Sequence, residues 1–169
     1  MEPCLNQATI MQCDVEEFIK VVANVGFKWV ELRISKVEEY LLYDPAKDFR
    51  TLLRLNGVKV ATLNALEFFS LVPEENYGFM KAKAEEAAAL CQLIDCEWLI
   101  MVPSRKNNFT REEVVVTTAR RLEVLAEAAE KYGVKLLFEF IGFPDFSVTD
   151  LSTAYKIAKT VRRHEIKLV

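Results

Sequence analysis

The sequence predicts an α/β fold in which parallel strands alternate with helices. Five times along the chain, an amphipathic helix is followed by a short turn, often with glycine, and then by an apolar strand. The repeat is about 30 to 40 residues long, the length of a strand, a helix and the crossover to the next parallel strand. The strands are nearly continuous apolar runs, as expected for parallel strands that helices cover.

Strand and helix signals follow each other in a regular order. The predicted strands are at residues 4–9, 29–33, 58–63, 98–102, 134–140 and 166–169. Helices are predicted to begin at Asp14 and at Asp44 and Pro45, with a short helical turn beginning at Ser35. Further helices are predicted after a long loop at residues 64–75, at a capping box of Thr110 and Glu113, and at Thr149 or Asp150.

These elements fit a partial (β/α)8 TIM barrel of about six parallel strands and five helical connections. An open doubly wound sheet would give a similar pattern, but the first strand-to-helix turn has no Gly-x-Gly-x-x-Gly, and polar residues cluster at strand ends. A complete barrel has eight units in about 250 residues. We therefore expect residues 1–169 to form a single domain, the N-terminal two-thirds of such a barrel.

Composition narrows the functional class. A net charge of −3 offers no basic surface for nucleic acid. Neither a membrane-spanning apolar run nor a signal peptide is recognisable, so we expect a cytoplasmic protein without a membrane partner. The four cysteines form no Cys-x-x-Cys pair, and buried free thiols are expected for Cys4, Cys13, Cys91 and Cys96.

Chemistry in parallel α/β proteins lies where the strands end. Glu139 is the most conspicuous residue there, since an unpaired carboxylate inside an apolar strand is strongly desolvated. It could instead pair with a strand-end cation such as Arg105, and Glu31 and Arg33 could pair with each other or with Glu139. The polar strand-end residues are Asn6, Gln7, Thr9, Glu31, Arg33, Asn64, Glu67, Ser104, Arg105 and Glu139.

Four aromatic residues accompany these polar groups on the loops after the strands. Phe68 and Phe69 follow the third predicted strand, and Phe143 and Phe146 follow the fifth. They either pack in the core beneath a loop or form the apolar wall of a ligand pocket.

Several short segments, in this order and at these spacings, resemble the xylose isomerase-like TIM barrels. This is the sugar phosphate isomerase/epimerase superfamily, which also includes endonuclease IV; within it, the resemblance is to inosose isomerases of inositol catabolism. The segments are Leu5-Asn-Gln-Ala-Thr9, Trp29-Val-Glu-Leu-Arg33, Leu63-Asn-Ala-Leu-Glu-Phe-Phe69, Met101-Val-Pro103 and Phe138-Glu-Phe-Ile-Gly142.

The resemblance implies metal-assisted proton transfer on an inosose or keto-sugar. The family holds a divalent metal (Zn, Mn, Mg or Co) with a glutamate, an aspartate, a histidine and a second glutamate at the ends of strands 5 to 8. Of these ligands only Glu139 has a match, as a metal ligand and acid/base, so we expect weak or absent metal binding by this chain. The implied substrate-binding residues are Asn6, Glu31, Arg33, Asn64, Phe68 and Phe69.

Two other functions stay open. One is a non-catalytic, truncated barrel that acts only through assembly with another chain, and the other is an endonuclease IV-like nuclease. The nuclease is disfavoured by the single histidine, His164, and by the negative charge. His164 precedes the sixth predicted strand, so we expect it in solvent, at the opposite end of the barrel from Glu139. Because the first and sixth strands would lack neighbours, we also expect a homo-oligomer that covers these edges.

Overall fold

The computed structural model describes residues 2–43, 48–162 and 164–169. It confirms the α/β class: one sheet of parallel strands in the order β1-β2-β3-β4-β5-β6, with helices between the strands. The strands are β1 (Cys4–Asn6), β2 (Trp29–Arg33), β3 (Lys59–Glu67), β4 (Trp98–Val102), β5 (Lys135–Phe138) and β6 (Lys167–Leu168). The helices are α1 (Val15–Asn24), α2 (Ile34–Tyr43), α3 (Phe49–Asn56), α4 (Tyr77–Leu93), α5 (Arg111–Glu130) and α6 (Leu151–Thr160).

Each strand pairs with the next one along the chain, which is the order of a barrel wall rather than of a doubly wound sheet. Crossovers that all advance in one direction with the same hand leave the helices on one face of the sheet. The large hydrophobic core lies between this face and the helices. A smaller apolar cluster of Ile100, Val102 and Phe146 lies apart from it.

Two strands differ in length from the prediction because of polar residues at their ends. β1 ends at Asn6, whose side chain accepts a hydrogen bond from Ala8 N at 2.7 Å and so caps a turn of 3-10 helix at Gln7–Ile10. β3 continues to Glu67, so Asn64 and Glu67 lie within the strand and not in the predicted long loop. Polar residues that face the inside of a barrel look like loop residues in sequence.

Other boundaries also need correction, and β6 covers Lys167–Leu168 instead of the predicted residues 166–169. α2 is a helix of ten residues instead of a short turn at Ser35. The predicted helix start at Asp44 and Pro45 lies outside the described residues, and α3 begins after Asp48, whose side chain caps Arg50 N. β5 ends at Phe138, so Glu139 is the first residue beyond the strand, although its N–H still bonds to Met101 O at 3.1 Å.

Four helices end in the same turn, in which one residue adopts a left-handed conformation and the next N–H bonds back into the last helical turn. Gly26, Gly57 and Gly133 fill this position with φ between 64° and 85°, and Asp95 fills it after α4 with φ 59°. The bonds back to the helix are Phe27 N to Val22 O, Val58 N to Leu53 O, Cys96 N to Cys91 O and Val134 N to Ala129 O. This pattern is the Schellman motif, which explains why glycine precedes β2, β3 and β5.

Asp95→Gly is expected to raise the free energy of unfolding by about 0.5–1 kcal/mol, because it removes a left-handed residue with a Cβ. The comparison is Gly57→Ala. Nothing lies within 4 Å of a Cβ added at Gly57, so this variant tests backbone strain alone and is expected to be less stable by about 1 kcal/mol. Urea unfolding of both variants measures the two effects, and a destabilised Asp95→Gly chain would contradict the expectation.

The cysteines are only partly as predicted. Cys91 and Cys96 are buried free thiols, but Cys4 is exposed and Cys13 is half-buried. Cys4 lies in β1, an edge strand that pairs with β2 on one side and, within the described residues, with no strand on the other. Among the helices described here, none is both long enough and apolar enough to cross a membrane.

Candidate active site

A fixed polar network joins the C-terminal halves of the first three strands around Glu31. One carboxylate oxygen accepts hydrogen bonds from Asn6 Nδ2 at 2.5 Å and from Asn64 Nδ2 at 2.8 Å. The other accepts from Thr62 Oγ1 at 2.8 Å. With both oxygens bound by donors, the Glu31 side chain is held in place, and it orients the side chains of its neighbours.

Arg33 extends this network toward β3. Its Nη1 donates to Asn64 Oδ1 at 2.6 Å and its Nη2 lies 3.4 Å from Glu67 Oε1. Its backbone N–H donates to the side chain of the buried Gln7 at 2.9 Å. The structure therefore does not pair Arg33 with Glu31, because Asn64 lies between them and bonds to both.

Glu139 lies beside this network and is not part of it. Within the described residues, no group donates a hydrogen bond to its half-buried carboxylate. Burial, with the negative charges of Glu31 and Glu67, raises the pKa of Glu139, and the charge of Arg33 opposes this shift. A carboxyl group with a raised pKa and free oxygens is able to take up and return a proton.

A cavity of about 580 Å³ opens at this rim. Of the predicted site residues, Arg33, Asn64, Phe68 and Glu139 line it, together with Glu67. The other lining residues come from the ends of β4 and the loop after β5: Val102, Arg105, Ile141, Phe143, Pro144, Asp145 and Phe146. A larger cavity of about 770 Å³ lies at the opposite end of the strands, by Trp29 and Trp98, and contains none of the predicted site residues.

An aromatic wall forms one side of the rim cavity. The ring of Phe68 stacks on that of Phe146 with 6.2 Å between centroids, and the Arg105 guanidinium lies 4.3 Å from the centroid of Phe146. Arg105 forms an ion pair with Asp145. Arg105 is thus not the partner of Glu139, because it pairs with Asp145, which lies on the same loop as Phe146.

Three of the predicted substrate-binding residues are not on the cavity wall. Phe69 is fully buried, in edge-to-face contact with Phe138 at 6.0 Å between centroids, so the structure corrects its assignment from ligand wall to core. Asn6 and Glu31 do not line the cavity either, and their polar atoms are engaged with each other and with neighbouring residues. Their contribution is to orient Asn64.

Two residues that the sequence did not single out in these roles complete the site. Thr62 donates a hydrogen bond to Glu31 and lies on the same face of β3 as Asn64. In the sequence, Thr62 could have been recognised as a second polar residue two positions before Asn64. Ser104 Oγ donates to Phe68 O at 2.7 Å and accepts from Leu71 N at 2.9 Å, which fixes the loop that carries Phe68. Thr9, named with the strand-end residues, is exposed, and its hydroxyl donates to Asn6 O at 2.7 Å.

The described residues do not by themselves fit a resident metal ion. No group of three or more His, Cys, Asp or Glu side chains among them could hold one. Glu31 has both oxygens bound by donors. The carboxylates on the cavity are Glu139, the exposed Glu67 and Asp145, which is paired with Arg105. His164 lies in the segment before β6, at the other end of the sheet.

Comparison with known proteins agrees with this architecture. The family described as the xylose isomerase-like TIM barrel matches residues 19–169. Inosose isomerases from Bacillus velezensis and Bacillus subtilis are 28% and 27% identical over the whole of this chain, which spans 61% and 62% of their respective lengths. A crystal structure described as the IOLI protein with a binding zinc atom has a TM-score of 0.92 and 27% identity, covering 99% of this chain and 62% of that one.

More distant structures share the fold alone. A D-psicose 3-epimerase crystallised in the presence of D-fructose is 15% identical, with a TM-score of 0.82, and the match covers 99% of this chain and 62% of that one. Because the family match extends over most of the chain and the sheet has the strand order of a barrel wall, the chain belongs to the xylose isomerase-like TIM barrel family.

Proposed function

We propose that the rim cavity binds a small polyhydroxy ketone, an inosose or a keto-sugar, and that Glu139 moves a proton from the carbon beside its carbonyl to the carbonyl carbon. The observation that carries this proposal is the Glu139 carboxylate, which is half-buried, has a raised pKa, and lies beside a rigid network of polar side chains. The inosose isomerases among the relatives support the choice of substrate.

Arg33 is the main hydrogen-bond donor that the cavity offers to a sugar. A guanidinium has five N–H groups, and those that bind Asn64 and Glu67 leave others for hydroxyl oxygens. Asn64 is largely committed, since its oxygen accepts from Arg33 and its nitrogen donates to Glu31. The ring of Phe68, which is 39% exposed, offers an apolar surface to the C–H face of the sugar.

The reaction requires one group that acts as base and then as acid. Ionised Glu139 removes the proton from the hydroxyl-bearing carbon beside the carbonyl, and the electron pair of that C–H bond forms the C=C bond of an enediolate, with the negative charge on the former carbonyl oxygen. The hydroxyl proton passes to this oxygen, and protonated Glu139 returns its proton to the former carbonyl carbon. The raised pKa brings the two protonation states closer in free energy, as this double role needs.

A divalent metal would polarise the carbonyl in such a reaction, and the IOLI protein is described with zinc. We propose no metal-dependent step for this chain, because the described residues lack a metal-binding cluster. Calorimetry with zinc is expected to give weak binding. Tight, stoichiometric binding by the isolated chain would contradict this.

The test is proton exchange rather than net isomerisation, because exchange needs a base but not a complete metal site. The chain is mixed with inosose in D2O, without metal, with zinc and with a chelator. NMR then follows saturation transfer to the ligand and loss of the C–H signal beside the carbonyl. We expect binding and accelerated exchange. The matched ligand myo-inositol has no carbonyl and should bind without exchange; inosose that neither binds nor exchanges in any of the three conditions would refute the proposal.

A second role, assembly with another chain, is favoured by the sheet edges. β1 and β6 are at opposite ends of the strand order, and no pairing joins them within the described residues. Each edge carries unpaired backbone N–H and C=O groups that could bind another strand. We expect light scattering at micromolar concentration to give a homodimer or larger species. A compact monomer with a cooperative melt would argue against this role.

We also infer a cytoplasmic location. The four cysteines are free, which is usual in a reducing compartment. A small-molecule sugar as substrate is consistent with such a location.

A further inference from the structure

Cys91 and Cys96 meet at the end of α4, away from the rim cavity. The Cys96 N–H bonds to Cys91 O at 2.9 Å, and Asp95 between them is left-handed. In a Schellman motif these are the two positions whose side chains contact each other. The backbone bond also holds the two residues at the close approach that a disulfide requires.

At the other three helix ends the same pair of positions is apolar. The pairs are Val22 with Phe27, Leu53 with Val58, and Ala129 with Val134. After α4, two thiols take these positions, 0% and 4% exposed, and the side chain of each shifts the pKa of the other. The two thiols are therefore neighbours in the core, whereas Cys4 and Cys13 lie in β1 and after the 3-10 turn.

We propose that Cys91 and Cys96 are a dithiol–disulfide couple, a redox modification site at the N-terminal end of the sheet that is oxidised by low-molecular-weight disulfides. The Cys96 thiolate attacks one sulfur of the small disulfide, whose S–S bond breaks and releases one thiolate. Cys91, as its thiolate, then attacks the sulfur of Cys96 and displaces the second. Two electrons pass to the oxidant, and the two thiol protons go to the two released thiolates.

The surroundings of the two cysteines suit different roles. The side chain of Cys91 lowers the pKa of Cys96, so Cys96 is the first nucleophile. The side chain of Cys96 and burial raise the pKa of Cys91, which suits the resolving position. A helix terminus opens locally at lower free energy than the core, and this opening gives a small disulfide access to the pair.

The consequence of oxidation is a covalent link between the last turn of α4 and the start of β4. Cys96 lies two residues before Trp98, and its S–H donates to Trp98 O at 3.3 Å. Since the backbone bond of the folded chain already brings the two cysteines together, the fold favours the disulfide, and the disulfide must favour the fold by the same factor. This site does not depend on the proposed sugar chemistry.

The experiment measures the equilibrium of this disulfide in the folded and the unfolded chain. The full chain is equilibrated with 2-mercaptoethanol and hydroxyethyl disulfide, in buffer and in urea, then acid-quenched, alkylated and digested with trypsin. Both cysteines fall in the tryptic peptide 84–105. Its oxidised form resists alkylation and is lighter by about 2 Da than the unalkylated dithiol.

We expect the equilibrium constant for the Cys91–Cys96 disulfide to be about tenfold larger in buffer than in urea, or about 30 mV in reduction potential. Repeating the measurement with Cys4→Ser and Cys13→Ser combined should leave this ratio unchanged. The proposal is overturned by an equal or smaller constant in the folded chain, or by native disulfides that mainly involve Cys4 or Cys13. The wild-type measurement decides the matter even where a variant does not fold.

Discussion

Phe69→Ala is expected to lower the free energy of unfolding by about 3–5 kcal/mol. The ring is fully buried and packs edge-to-face on Phe138, so the substitution leaves a cavity between the sheet and the helices. Chemical unfolding in urea, followed by circular dichroism, measures the loss. The variant should be compared at a temperature where both chains are folded in the absence of denaturant.

Phe68→Ala is the matched control, since the two phenylalanines are adjacent. Phe68 is 39% exposed and contacts Phe146, so its loss is expected to destabilise the chain by about 0.5–1.5 kcal/mol. Its main effect should be weaker binding of inosose at the rim cavity. If Phe69→Ala were as stable as the wild type and instead lost sugar binding, the sequence-based assignment of Phe69 to the ligand wall would be correct after all.

The two phenylalanines show what sequence can and cannot predict here. The order of helices and strands follows from periodicity and from glycines such as Gly26, Gly57 and Gly133, because left-handed helix ends favour glycine. That aromatic residues follow β3 was also visible. The sequence did not show which of the two adjacent rings is buried in the core. Phe68 has a φ of 61°, which breaks the alternation of side chains along a strand.

The sequence also did not show which polar side chains bond to each other. The rule that functional residues lie at strand ends predicted that Arg33, Asn64 and Glu139 lie close together, and these three residues do line one cavity. The partners of Glu31 depend on register, since a shift between Val30 and Glu31 pairs Glu31 with Thr62. Arg105 meets Asp145 across 40 residues of sequence, a contact that no local pattern indicates.

Glu139→Gln is expected to lower the rate of proton exchange in inosose by about 10²-fold or more, because the amide cannot accept the proton. The substituted chain should fold at least as well. A carboxyl group whose pKa is raised by folding binds its proton more tightly in the folded state, so its ionisation destabilises the fold and stability rises as the pH falls through the raised pKa. At neutral pH a neutral glutamine removes this penalty, and thermal melts would detect it.

The pH dependence of exchange separates a base at Glu139 from a general effect of charge. Exchange should fall as the pH drops through the raised pKa of Glu139, since only the ionised form accepts a proton. Glu67→Gln removes a negative charge that raises this pKa, so its acidic limb should move to lower pH. Glu97→Gln, at the opposite end of the sheet and loosely paired with Lys135 at 3.8 Å, should leave rate and profile unchanged. An unchanged exchange rate in Glu139→Gln, or a limb that moves to higher pH in Glu67→Gln, would show that another group is the base.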